Sequence, residues 1–105
     1  MRSVRLLAAL SLALAFSACV QRPEADASGR EIFVQVCARC HATDLSGGVG
    51  PALGPDSNAA SQSDEFLTSA ISEGRGTMPS FAQTLTPEQI DRVVAYLRQS
   101  QAGDS

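Results

Sequence analysis

The chain has 105 residues, 44% of them hydrophobic, with eight Arg, eleven Asp and Glu, one His and no Lys. That is enough for one small domain, and with no basic run it argues against nucleic-acid binding. A single histidine excludes a bis-histidine metal site within the chain and removes most acid–base catalytic schemes.

Residues 1–18 read as an export signal. Arg2 and Arg5 form a basic start, and Leu6 to Phe16 is an apolar run too short for a membrane span. Phe16-Ser17-Ala18-Cys19 resembles a bacterial lipobox, with Phe16 where Leu is usual. Cleavage before Cys19 would leave a lipid-modified N-terminal cysteine. The competing reading is a cut at Ala13-Leu14-Ala15, with Cys19 an unused thiol. A third cysteine in an exported chain needs an explanation, because Cys37 and Cys40 are used elsewhere. Lipidation supplies one, and a diacyl anchor holds where a single chain is marginal. Loss of 1–18 leaves six Arg against eleven acidic residues, a net charge of −5. Residues 19–27 then form the lipidated Cys19 and a polar linker containing Pro23. About eight flexible residues span roughly 15 Å.

Ser28-x-x-Glu31 is a capping-box pattern, which starts a helix at Ser28. Gly29, Phe33, Cys37 and Cys40 fall on one of its faces. The helix runs into Cys37-Ala38-Arg39-Cys40-His41, a Cys-x-x-Cys-His sequence and the attachment signature of c-type haem. Positions three and four apart share a helical face. Both thiols can therefore add to the vinyl groups on one porphyrin edge while His41 ligates the iron.

Thr43 to Asn58 is a loop rich in Gly, Pro, Ser and Asp. Gly47, Gly48 and Gly50 let backbone pass close to a flat ligand. A short helix follows from Asp64 to Ser72, capped by Ser63 or Asp64 and ended by Gly74, with Phe66, Leu67, Ala70 and Ile71 on its apolar face. Gly74-Arg75-Gly76-Thr77-Met78-Pro79 breaks the regularity. Met78 is the one methionine beyond the initiator, and Pro79 fixes the backbone beside it. Thr86-Pro87-Glu88-Gln89 starts the last helix with a cap, a first-position proline and a glutamine three after the cap. Ile90, Val93, Val94 and Leu97 form its stripe. Residues 102–105 read as a frayed tail. No strand pattern is present.

The Cys37–His41 motif, Gly50-Pro51-Ala52-Leu53 and Met78-Pro79 together resemble the class I cytochrome c family over residues 28–101. The resemblance implies an all-α fold of three to four helices wrapped around one covalently attached haem c. It implies His41 and Met78 as the two axial ligands, and a hydrogen bond from the other His41 ring nitrogen to the Pro51 carbonyl. Gly29 and Phe33 would pack on the last helix, with Tyr96 as partner. Ala42 stands where the family often has Gly, a change expected to matter little. Arg75 is either a contact to a haem propionate or a solvated loop arginine.

The function implied is a single-haem carrier, passing one electron at a time between periplasmic or membrane redox partners. With both axial positions filled, no site is open for substrate, so no enzyme activity is expected. The acidic surface suits partners with a basic or apolar docking face. Other readings are a subunit of a larger respiratory or dehydrogenase complex, and a haem-based gas sensor, which needs a labile sixth position. A thiol oxidoreductase using Cys37 and Cys40 lacks its βαβ context, and a zinc site lacks a fourth ligand. A domain this small buries a modest fraction of its surface. A covalent apolar macrocycle would supply the missing core, so the haem-free chain is expected to be largely unstructured.

Overall fold

The computed structural model describes residues 21–103; the proposed leader, Cys19 and the last two residues lie outside that span. The described chain is all-α, and its one β-type pairing is an isolated bridge between Arg75 and Met78.

Helix α1 spans 29–41 in three pieces: an α-helical turn Gly29–Ile32, a π-helical turn Phe33–Cys37 and a final α-helical turn Ala38–His41. The Ser28 hydroxyl caps it, accepting from the Glu31 N–H at 3.0 Å. In the middle turn the Ala38 N–H reaches back five residues to the Phe33 carbonyl. Such a turn holds one more residue than α-helix allows, and each residue is worth about 100° of rotation. The direction of Cys40 and His41 is thereby reset relative to the Gly29 end. Helix α2, Asp64–Glu73, starts under the Ser63 hydroxyl and ends at Gly74. Asp64 and Glu65 occupy its first turn, where carboxylates favour the helix dipole. Helix α3, Pro87–Gln101, carries the full capping box between Thr86 and Gln89 with Pro87 at its start. A 3-10 turn, Asn58–Ser61, precedes α2.

The core lies where α1 crosses α3. Ile32, Phe33 and Val93 are fully buried, with Ile90, Val94 and Leu97 around them. Burying a side chain of this size contributes about 1.5–3 kcal/mol. The crossing is close because Gly29 has no Cβ. One placed there would be driven into the Arg92 carbonyl oxygen and lie 3.0 Å from the Tyr96 Cβ. Phe33 meets Tyr96 with ring centroids 5.5 Å apart and planes tilted by 44°. Arg98 fastens the loop before α2 onto α3. It pairs with Asp64 at 2.7 Å and donates to the carbonyls of Ala59, Ala60 and Gln62.

The stretch 21–27 departs from the linker read in the sequence. Pro23 and Ala27 are buried. Gln35 Nε2 donates to the Gln21 carbonyl at 3.0 Å and Gln89 Nε2 to the Glu24 carbonyl at 3.2 Å. Arg92 donates to the carbonyls of Ala25, at 2.9 Å, and Ala27. The segment is a strap on α1 and α3. Its polar side chains suggested a solvated tether, but its backbone carbonyls are what the domain captures.

Candidate functional site

The site is assembled at the C-terminal end of α1. Cys37 is buried, Cys40 is half-buried, and neither is disulfide-bonded. Burial pushes the Cys37 thiol up to about 11, with the neighbouring Cys40 adding to the shift. In the unmodified chain Cys37 is thus a neutral thiol at physiological pH. His41 follows on the same helix and is 6% exposed.

The chain after His41 folds back over the helix end and satisfies its last carbonyls, which no helical N–H can reach. Ala42 N–H bonds the Ala38 carbonyl at 2.8 Å, Gly50 N–H that of Cys40 at 2.8 Å and Gly47 N–H that of His41 at 2.9 Å. Asp44 stiffens this return. It accepts hydrogen bonds from Ser46, side chain first and then backbone, which hold its carboxyl below the usual range. Ala42 itself has φ 66 and ψ 150, a region nearly reserved for glycine and costing on the order of 1–3 kcal/mol. The substitution expected to be minor is therefore a strained one.

The returning loop also fixes the imidazole. His41 Nδ1 lies 2.8 Å from the Pro51 carbonyl oxygen. A carbonyl only accepts, so Nδ1 carries the proton and Nε2 keeps its lone pair for a metal. Gly50 lies flat against the ring. A Cβ there would sit 2.7 Å from Cε1 and 2.9 Å from Nδ1. The sequence marked Gly50 as a site of close backbone approach without identifying the histidine ring as what it approaches.

Met78 enters from a different segment. Its side chain is half-buried against the hydrophobic core, which includes Cys37. Arg75 is exposed, and its guanidinium carbon lies 4.7 Å over the Phe66 ring centroid. The structure thus brings together Cys37, Cys40, His41 and Pro51, and places Met78 and Arg75 on the turn after α2. Sequence reading missed Phe66 as the seat of Arg75 and Ser80 as a clamp, whose hydroxyl donates to the Ser72 carbonyl at 2.5 Å. Neither carries a marker beyond ordinary helix or loop composition.

The donor set fits a covalently held haem. Two unpaired thiols three residues apart precede an imidazole whose proton is committed away from Nε2, and a thioether packs on the same core. Among the described residues no three His, Cys, Asp or Glu side chains group as a metal-ion site. Haem c supplies a one-electron iron couple held by bonds to thiols rather than by such a cluster.

Known proteins agree. The family model for cytochrome c oxidase, cbb3-type, subunit III matches residues 24–97. A cytochrome c6 of Rippkaea orientalis (strain PCC 8801 / RF-1) is 33% identical over 104 residues, covering 89% of this chain and 90% of that one. The solved cytochrome c6 of the diatom Phaeodactylum tricornutum superposes with a TM-score of 0.63 at 29% identity, over 73% of this chain and 94% of that one. Dihydro-heme d1 dehydrogenase NirN gives a TM-score of 0.65 at 33% identity, over 70% of this chain but 16% of that one. With the fold, the motif and these relatives in agreement, the chain belongs to the cytochrome c family, as a class I electron carrier with a single covalently bound haem c.

Proposed function

We propose that Cys37 and Cys40 form the two thioether bonds, that His41 and Met78 are the axial ligands, and that the protein only carries electrons and catalyses no reaction of its own. The supporting observation is the His41 Nδ1 to Pro51 contact of 2.8 Å with Gly50 stacked on the ring. It holds one tautomer and one ring orientation before any electron moves. A ligand set that does not rearrange on changing charge keeps the barrier to transfer low. A thioether on the second side favours Fe(II) and raises the potential relative to a bis-histidine site. An Arg75 contact to a propionate belongs to the same proposal, made through the N–H edges that the Phe66 stack leaves free. Export by 1–18, lipidation at Cys19 and a periplasmic, membrane-tethered location complete it, with a partner whose docking face is basic or apolar.

An optical spectrum of the purified mature protein tests the ligand set. The weak Met–iron charge-transfer band should appear in the oxidised form and should be absent from Met78→Ala. Covalent haem without that band, together with carbon monoxide uptake on reduction, would instead indicate a labile sixth position and a ligand-binding role. Mass spectrometry of the mature N-terminus decides lipidation: a diacylated Cys19 supports the tether, and an unmodified Cys19 or a cut near Ala15 removes it.

A second reading has its own support. The similar domain of the NirN dehydrogenase is a minor part of a longer chain, so a domain of this fold can stand within a larger protein, and here it would pass electrons inside such an assembly. Co-purification of other subunits from detergent would favour that arrangement here.

A further inference from the structure

The turn that carries Met78 is held to α2 by a contact that no motif announces. Gly74 and Gly76 have φ of 80 and 59, so the chain doubles back on itself. Arg75 N–H bonds the Met78 carbonyl at 3.0 Å and Met78 N–H bonds the Arg75 carbonyl at 2.9 Å. These paired bonds make 75–78 one small rigid unit, in which moving Arg75 moves Met78. Beyond it, the Phe81 N–H reaches the Ile71 carbonyl at 2.9 Å and Ser80 grips Ser72. The far side of the unit is therefore pinned to the C-terminal end of α2. Its near side is pinned by the Arg75 guanidinium, 4.7 Å over Phe66. Phe66 lies in the first turn of α2 and packs on the core. Arg75 pairs here with a ring and not a carboxylate; the ion pair among the described residues is Arg98 with Asp64.

We infer that Arg75 is a positioning residue for Met78. Its stack on Phe66 clamps the 75–78 unit against α2 and keeps the thioether presented. The inference rests on Met78 being the sixth ligand. A cation over a partly exposed ring such as Phe66 is worth a factor of at least about two to five in an equilibrium. That factor should appear in how readily the methionine yields its place. With no Lys in the chain, no internal amine competes, and an added ligand reads the equilibrium directly.

The experiment titrates the oxidised holoprotein with imidazole at fixed pH and follows loss of the Met–iron band. Arg75→Ala and Phe66→Leu should each bind imidazole about two- to fivefold more tightly than the parent. Arg75→Lys, which keeps a cation over the ring, should lie close to the parent. The Arg75→Ala, Phe66→Leu double variant should bind imidazole no more tightly than either single variant, because both remove one contact. Arg75 is exposed, so its replacement leaves the core intact. Equal imidazole affinity across the set would overturn the inference. So would an effect of Arg75→Ala with Phe66→Leu silent, which would leave the propionate contact as the role of Arg75. If the parent shows no band and Met78→Ala binds imidazole as the parent does, the ligand assignment itself has failed, a result separate from both.

Discussion

Individual residues here are decided by chemistry that leaves little choice. Cys37, Cys40 and His41 stood out in the sequence because the proposed covalent attachment and iron ligation need those atoms at that spacing. Ala42 was not legible, since a positive φ in alanine carries no mark in the sequence. Its φ of 66 and ψ of 150 give the first prediction. Ala42→Gly should stabilise the haem-loaded protein by about 1 kcal/mol, the relieved strain less the extra entropy of an unfolded glycine. Urea denaturation of the two proteins measures it, and a loss of stability would show that the strain is absent. Gly50 runs the other way. A methyl group 2.7 Å from His41 Cε1 must move either the loop or the ring. Gly50→Ala should therefore shift the reduction potential while leaving the haem covalently attached. Voltammetry of the variant reads this directly, and an unchanged potential would count against the ring's being held by that contact.

At the scale of elements, caps and stripes carried most of the information. The starts of α1, α2 and α3 follow from Ser28, Ser63 and Thr86, whose hydroxyls accept from the N–H groups of Glu31, Phe66 and Gln89. The π-helical turn Phe33–Cys37 was not legible. Hydrophobic spacing places Phe33 and Cys37 on one face whichever way the intervening bonds are made. The 3-10 turn Asn58–Ser61 was hidden for a different reason. Its carbonyls are held by Arg98, a residue of α3, and local sequence does not report a remote donor. The contact most sensitive to substitution is the α1–α3 crossing. Gly29→Ala should cost about 3 kcal/mol, the upper end for overpacking, because the obstacle is the Arg92 backbone and not a side chain that can rotate away. A shift in denaturation midpoint equivalent to under about 0.5 kcal/mol would show that the helices part more easily than their packing implies.

For the molecule as a whole, the described core is small and its fully buried side chains, Ile32, Phe33 and Val93, lie at the crossing of α1 and α3. The other side is built of turns that gather around the end of α1 and the Met78 unit. Among the described residues those turns contribute only Leu45 and Leu85 to the buried core. The Cys37→Ser, Cys40→Ser protein should accordingly be largely unstructured, and far-ultraviolet circular dichroism with full native helicity would refute this. The strap then bears on how the protein meets its partners. With the chain fastened from Gln21 onward, only Val20 stands between the proposed lipid on Cys19 and the folded surface, less than about 10 Å of contour. If Cys19 carries the proposed lipid, a domain moored so tightly would ride close on the bilayer and turn little about its mooring. Encounters would then become a two-dimensional search by lateral drift. The donor and the acceptor would have to share that membrane, or reach down to it, to exchange an electron.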